Sequence, residues 1–136
     1  MRRMNLQAKE IEQLYRRMVF NVLAVNQDDH VKNISFLMDR TGVWRLSPAY
    51  DVTFAYDPAN RWINAHQMTI NGKRTDIGMI DLVAAGKSMD ISTQKCKNII
   101  NEVTLAVRKW PQLAEKARIK EETVEMIANL LQGDLL

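Results

Sequence analysis

Apolar side chains from Leu6 onward recur at three- and four-residue intervals, at Ile11, Leu14, Tyr15, Met18, Val19 and Val22. That spacing lines them along one face of a helix and predicts a first amphipathic helix ending near Val25. The pattern then breaks: the run from Asn26 to Asn33 is polar at almost every position. Two short apolar runs follow, Ile34 to Met38 and Val43 to Leu46, around the turn-forming stretch Asp39-Arg40-Thr41-Gly42. They predict a β-hairpin, closed at Ser47-Pro48 because proline cannot donate to a strand ladder.

Beyond the hairpin, Phe54 to His66 contains Asp57-Pro58 and few periodic apolar residues, and reads as an irregular loop. Gln67 to Ile70 before Asn71-Gly72 predicts a short strand and a turn, and after Ile77 the chain turns helical. Ser92 suits the N-cap of a helix whose apolar face carries Cys96, Ile99, Ile100, Val103, Val107 and Trp110, and Pro111 marks where it must stop or restart. A last helix begins near Glu121, aligns Val124, Ile127, Ala128 and Leu131, and ends before Gly133. The expectation is one domain over residues 1–136, mainly α with a small β-hairpin that carries the chemistry.

With 46% hydrophobic and 26% charged residues in 136, the chain can bury a core without a disulfide or structural metal. Its one cysteine, Cys96, excludes an internal disulfide framework and fits a reducing compartment. The start, Met1-Arg2-Arg3-Met4, leads into a charged amphipathic stretch, which is not a secretion signal, and no run is long enough to span a membrane. A cytoplasmic protein without membrane contact is expected. The net charge of +3 suits a phosphate-bearing ligand, and equally an ordinary basic surface.

The polar run Asn26-Gln27-Asp28-Asp29-His30-Val31-Lys32-Asn33 lies between segments patterned for the core, so its side chains are mounted on a rigid edge. Phosphoryl transfer needs a carboxylate to take or orient a hydroxyl proton and oxygen ligands for magnesium. Protein kinases supply an Asp, an Asn five positions later and, after a hairpin, a second Asp. Asp28 and Asn33 have that interval, and Asp51 has that placement, carried back by the antiparallel pairing.

Asp28-Asp29-His30-Val31-Lys32-Asn33 resembles the D-x-H-x-K-N catalytic loop of the HipA family of toxin serine/threonine kinases. Leu46-Ser47-Pro48-Ala49-Tyr50-Asp51 resembles that family's L-S-P-x-Y-D stretch, and Ile70-Asn71-Gly72-Lys73 its I-N-G-K turn. The resemblance implies a protein-kinase-like C-terminal lobe that uses Mg2+ and ATP. It implies Asp28 as catalytic base, Asn33 and Asp51 as magnesium ligands, His30 and Lys32 near the nucleotide phosphates, and Tyr50 lining the same pocket. Asn26-Gln27 stands where ordinary protein kinases have His-Arg, and Tyr50-Asp51-Val52 replaces their Asp-Phe-Gly, so their activation-loop rules do not transfer.

Other readings stay open beside these. His30 is either a chemical group or a hydrogen-bonded loop histidine, and Lys32 either a phosphate contact or a solvated charge. Asp29 reads as structural or substrate-side, His66 as a loop residue, Cys96 as core, and Trp44, Trp62 and Trp110 as packing groups. No grouped glycines and no strand lysine precede the first helix, and in the HipA family those parts lie in an N-terminal region this sequence lacks. The expectation is therefore a lobe that transfers phosphate weakly or not at all alone, as a fragment, a truncated product or half of a split kinase. Such a lobe should show an apolar patch near the catalytic loop. By resemblance, the partners are a protein substrate of the translation apparatus, an antitoxin or a chain supplying the N-lobe. A noncatalytic binding module is the alternative, and a metal-dependent phosphohydrolase using Asp28, Asp29, His30 and Asp51 a further one. Direct nucleic-acid binding is not expected, for want of a basic stripe.

Overall fold

The computed structural model describes residues 4–132. Its elements are α1 (Ala8–Leu23), a short 3-10 turn (Val31–Asn33), β1 (Phe36–Met38), β2 (Trp44–Leu46), α2 (Met79–Ser88), α3 (Thr93–Val107), α4 (Trp110–Lys116) and α5 (Glu121–Leu130). The protein is mainly helical with one two-stranded antiparallel hairpin, paired Phe36 to Leu46, Leu37 to Arg45 and Met38 to Trp44. Among the described residues, no helix is long and apolar enough to cross a membrane.

The apolar stripe of α1 packs on that of α3. Tyr15, Val19, Val22 and Leu23 are buried against Cys96, Ile99, Ile100, Val103 and Val107, so Cys96 is a core residue. The short helix α2 closes this layer through Leu82 and approaches so near that a Cβ on Gly86 would collide with Cys96 Sγ and the Tyr15 ring. The Tyr15 hydroxyl donates to the Leu82 carbonyl at 3.0 Å, and burial pushes its pKa up.

The hairpin turn is organised by Asp39, whose Oδ1 accepts from Thr41 N–H at 2.8 Å, the Thr41 hydroxyl at 2.6 Å and Val43 N–H at 3.1 Å. Gly42 supplies the positive φ, 85°, that the turn requires. At the other end of the hairpin, α1 holds β2. Glu10 accepts the N-terminal Gln7 N–H of its own helix with Oε2 and the Leu46 N–H with Oε1, while Arg17 donates to the Ser47 carbonyl at 2.6 Å.

Several local expectations change. The strand expected from Gln67 to Ile70 reduces to a single bridge, Ile70 with Lys73, around the Asn71-Gly72 turn. An extended segment with no neighbouring strand to satisfy its backbone has nothing to continue it. Trp110 opens α4, not the end of α3, because Pro111 sits in the first turn of a new helix. Its indole N–H donates to the Val124 carbonyl at 3.1 Å, tying α4 to α5. Trp44 and Trp62 are exposed, and the Arg61 guanidinium lies 4.4 Å above the Trp62 ring, so neither is a core packing group. Ala128 is exposed on α5, which ends at Leu130; Gly133 as its stop lies outside the described residues.

Candidate active site

The polar run begins where α1 stops. Val25 takes a left-handed backbone, φ 54°, which costs a β-branched residue on the order of 1–3 kcal/mol and turns the chain away from the helix axis. Asn26 then forms a parallel bridge with Ala55: Gln27 N–H donates to the Ala55 carbonyl at 2.9 Å, and Ala55 N–H to the Val25 carbonyl at 3.1 Å. Asn26 is buried, and its side-chain amide donates to Asn21 Oδ1 at 3.1 Å and to the Asp51 carbonyl at 3.4 Å. The hairpin brings Asp51 back, and this bridge beside it fastens it. Asp51 also sits at positive φ, 54°.

Within the loop, the Asn33 side-chain amide donates to the Asp28 carbonyl at 3.0 Å, closing residues 28–33 into a compact turn. Asp28 Oδ1 lies 3.7 Å from His30 Nε2, and both side chains are partly exposed. The Tyr50 hydroxyl donates to the Lys32 carbonyl at 2.7 Å, a tie between the two stretches that sequence spacing alone did not show. Asn26, His30, Asn33, Tyr50 and Asp51 line one cavity of about 160 Å³. Asp28 does not line it and stands at the turn held by Asn33, while the Lys32 side chain is exposed outside it.

Asp29 also lines this cavity, but its carboxylate is committed to the 66–68 segment. It is buried, with Oδ2 2.9 Å from His66 Nδ1 and Oδ1 accepting Gln67 N–H at 2.7 Å and Met68 N–H at 3.3 Å. This makes it structural, and it makes His66 a buried partner of the loop. Among the described residues, no three His, Cys, Asp or Glu side chains converge to hold a metal ion, so the Asp28, Asp29, His30 and Asp51 set of the phosphohydrolase reading is not assembled.

A kinase-type ligand set makes a different demand, one carboxylate and one amide oxygen. The nitrogen end of Asn33 is committed to Asp28, which leaves its Oδ1 as the end available for a cation, and none of the described hydrogen bonds or ion pairs uses the Asp51 carboxylate. Both are hard oxygen donors on one cavity, which is the chemistry magnesium takes. His30 Nδ1 and Asn26 Oδ1 on the same wall are buried without a partner. The residues present therefore fit a magnesium-bound phosphate.

A family model described as the HipA-like C-terminal domain matches residues 1–111. The chain belongs to that family. No curated protein matches it. The HipA-like match contains the whole polar loop, the hairpin, Asp51 and helices α1 to α3; most of α4 and all of α5 lie beyond it.

The Ile70-Asn71-Gly72-Lys73 turn has a structural use. Asp81 in the first turn of α2 accepts the Gly78 N–H at 3.0 Å, the Asn71 amide at 2.8 Å and Lys73 Nζ at 2.9 Å. These donors, Gly78 foremost, hold its carboxyl down at a pKa of about 2. Ile70 and Thr69, just before the turn, line the site cavity, so the turn fixes one of its walls.

The sequence reading gave Asn26 no role at the site, took His66 for a loop residue where it is a buried partner of Asp29, and passed over Arg17. Arg17 lies on α1 among half-buried residues; burial lowers its pKa, and its Nη1 has no partner. A charged residue adjoining an apolar helix face is the signal that could have found it.

Proposed function

We propose that this chain is the catalytic lobe of a HipA-like serine/threonine kinase, transferring phosphate from Mg-ATP to a protein hydroxyl. The observation that carries this reading is the shared cavity of Asn33 and Asp51, with Asn33 bonded back to Asp28. Asn33 Oδ1 and the Asp51 carboxylate would hold magnesium, and Asp28, partly exposed in the turn that Asn33 closes, would take the proton of the attacking hydroxyl. A magnesium ion held there would supply positive charge against the nucleotide phosphates. His30, on the cavity wall, and Lys32, exposed in the same loop, would meet phosphate oxygens in this reading. Tyr50 walls the cavity, its ring held by the bond to Lys32.

A cavity of about 160 Å³ is smaller than the roughly 300–1,000 Å³ that encloses a typical small ligand, so the remainder of a nucleotide would lie outside it. Leu37, Met38, Val43 and Trp44 are exposed on the hairpin that follows the loop. This apolar surface supports a partner lobe or chain that covers the nucleotide and supplies the phosphate-gripping glycines and lysine. An antitoxin and a substrate from the translation apparatus belong to the same proposal, as does action in the cytoplasm.

The test is titration with magnesium and ATP, with and without a candidate N-lobe chain, followed by assay of labelled protein. Labelling that disappears in Asp28→Asn and Asp51→Asn supports the kinase. Nucleotide binding without labelling under all conditions supports a binding module, and unchanged labelling in both variants sinks the assignment.

A further inference from the structure

The residues on either side of Asp28 line different cavities. Asp29 lines the site cavity, while Gln27 lines a second, polar cavity of about 240 Å³ together with His66, Asn64 and Asp76. The wall between the two contains the Asp29–His66 contact, 2.9 Å from Oδ2 to Nδ1, with Asp29 5% and His66 2% exposed. A carboxylate this deeply buried is tolerated only with its oxygens satisfied, and here His66, Gln67 N–H and Met68 N–H satisfy them.

His66 itself is a fixed post. Its N–H donates to the Arg74 carbonyl at 3.1 Å, and Arg74 Nε donates back to the His66 carbonyl. The donor to Asp29 is therefore set by the 66–74 segment, which is closed by the Asn71-Gly72 turn and anchored through Asp81. Asp29 is in turn one residue from Asp28 and one from His30, so the bonds that pin its carboxylate also fix the stretch of main chain from which both neighbours extend.

We propose that His66 is a positioning residue: its Nδ1–H, donated to Asp29, sets the direction in which Asp28 and His30 leave the loop. This rests on the catalytic-lobe reading for its purpose. The same kind of contact, an outer group orienting a residue beside the chemistry, changes metal affinity or activity by about 10–100-fold when removed. A merely structural His66 would change stability and nothing else.

The experiment uses the full chain and two readouts: backbone amide shifts of residues 28–33 by NMR, and affinity for magnesium with the non-hydrolysable ATP analogue carrying a β,γ-imido bridge. His66→Ala is expected to shift those amides and to weaken binding by on the order of tenfold. His66→Asn, whose amide nitrogen takes the Nδ1 place, restores both. His66→Gln, which fills the space but sends its nitrogen toward the Nε2 place, does not restore them, and serves if the alanine variant fails to fold. Ile127→Ala, on α5 and buried away from the loop, is the control for lost stability and leaves both readouts at their original values. Original shifts and affinity in folded His66→Ala or His66→Gln, or the same changes in Ile127→Ala, overturn the proposal. Should the unmodified chain bind no nucleotide even together with a candidate N-lobe chain, the catalytic-lobe reading falls, and the amide shifts still decide whether His66 positions the loop.

Discussion

The side-chain amide of Asn33 donates to the main-chain carbonyl of Asp28 at 3.0 Å. One residue thereby holds Asp28 in its turn and lines the cavity that Asp51 also lines.

Asn33→Ala removes both functions at once. Loss of Mg-ATP affinity on the order of tenfold or more is expected, measured by calorimetry in the unmodified and variant chains. Asp28→Asn, which keeps the main-chain carbonyl, should leave that affinity nearly unchanged while lowering protein labelling by about 10²–10⁴-fold in the reconstituted enzyme. Equal loss of affinity in both variants would contradict the division of roles between them.

The carboxyl of Asp81 is held at about 2, below its ordinary 3.8. A carboxylate with a depressed folded-state pKa stabilises the fold fully above its unfolded pKa, and that contribution is lost as pH falls through the folded value. Thermal melts should therefore hold steady above about pH 4 in this respect and fall between about pH 4 and pH 2. Asp81→Asn lowers stability at neutral pH and flattens that acid limb. A variant with an unchanged acid limb would show that other carboxylates govern it.

A methyl group at Gly86 would meet Cys96 Sγ and the Tyr15 ring. Gly86→Ala is expected to destabilise by about 1–3 kcal/mol, as overpacking of a tight core does. Adding Cys96→Ala makes room, so urea denaturation should show the double variant less destabilised than the sum of the single ones.

Glu10 and Arg17 clamp the end of β2 to α1 through Leu46 N–H and the Ser47 carbonyl. Glu10→Ala removes the acceptor of a charge-assisted bond, and the Leu46 amide should exchange with solvent faster by hydrogen-exchange NMR. Arg17→Met keeps the bulk and drops the donor; it should broaden or shift the amides of residues 47–51. If neither region responds, the hairpin is held by its own ladder alone.

The sequence alone determined the helices whose apolar stripes have the right period, the turn at Asp39 to Gly42, the core position of Cys96 and the HipA-like family to which the chain belongs. These are local properties: periodicity, turn chemistry and motif spacing are carried by neighbours along the chain. Tertiary structure alone decided that Ala55 fastens Asn26 beside Asp51, that Tyr50 reaches Lys32, and that Asp29 turns inward to His66, 37 positions away. It also reduced the expected strand before Asn71 to one bridge and exposed Trp44 and Trp62. Such facts depend on which surfaces meet once the core has formed. A single polar residue in an irregular segment has the same local pattern whether it faces water or a buried carboxylate.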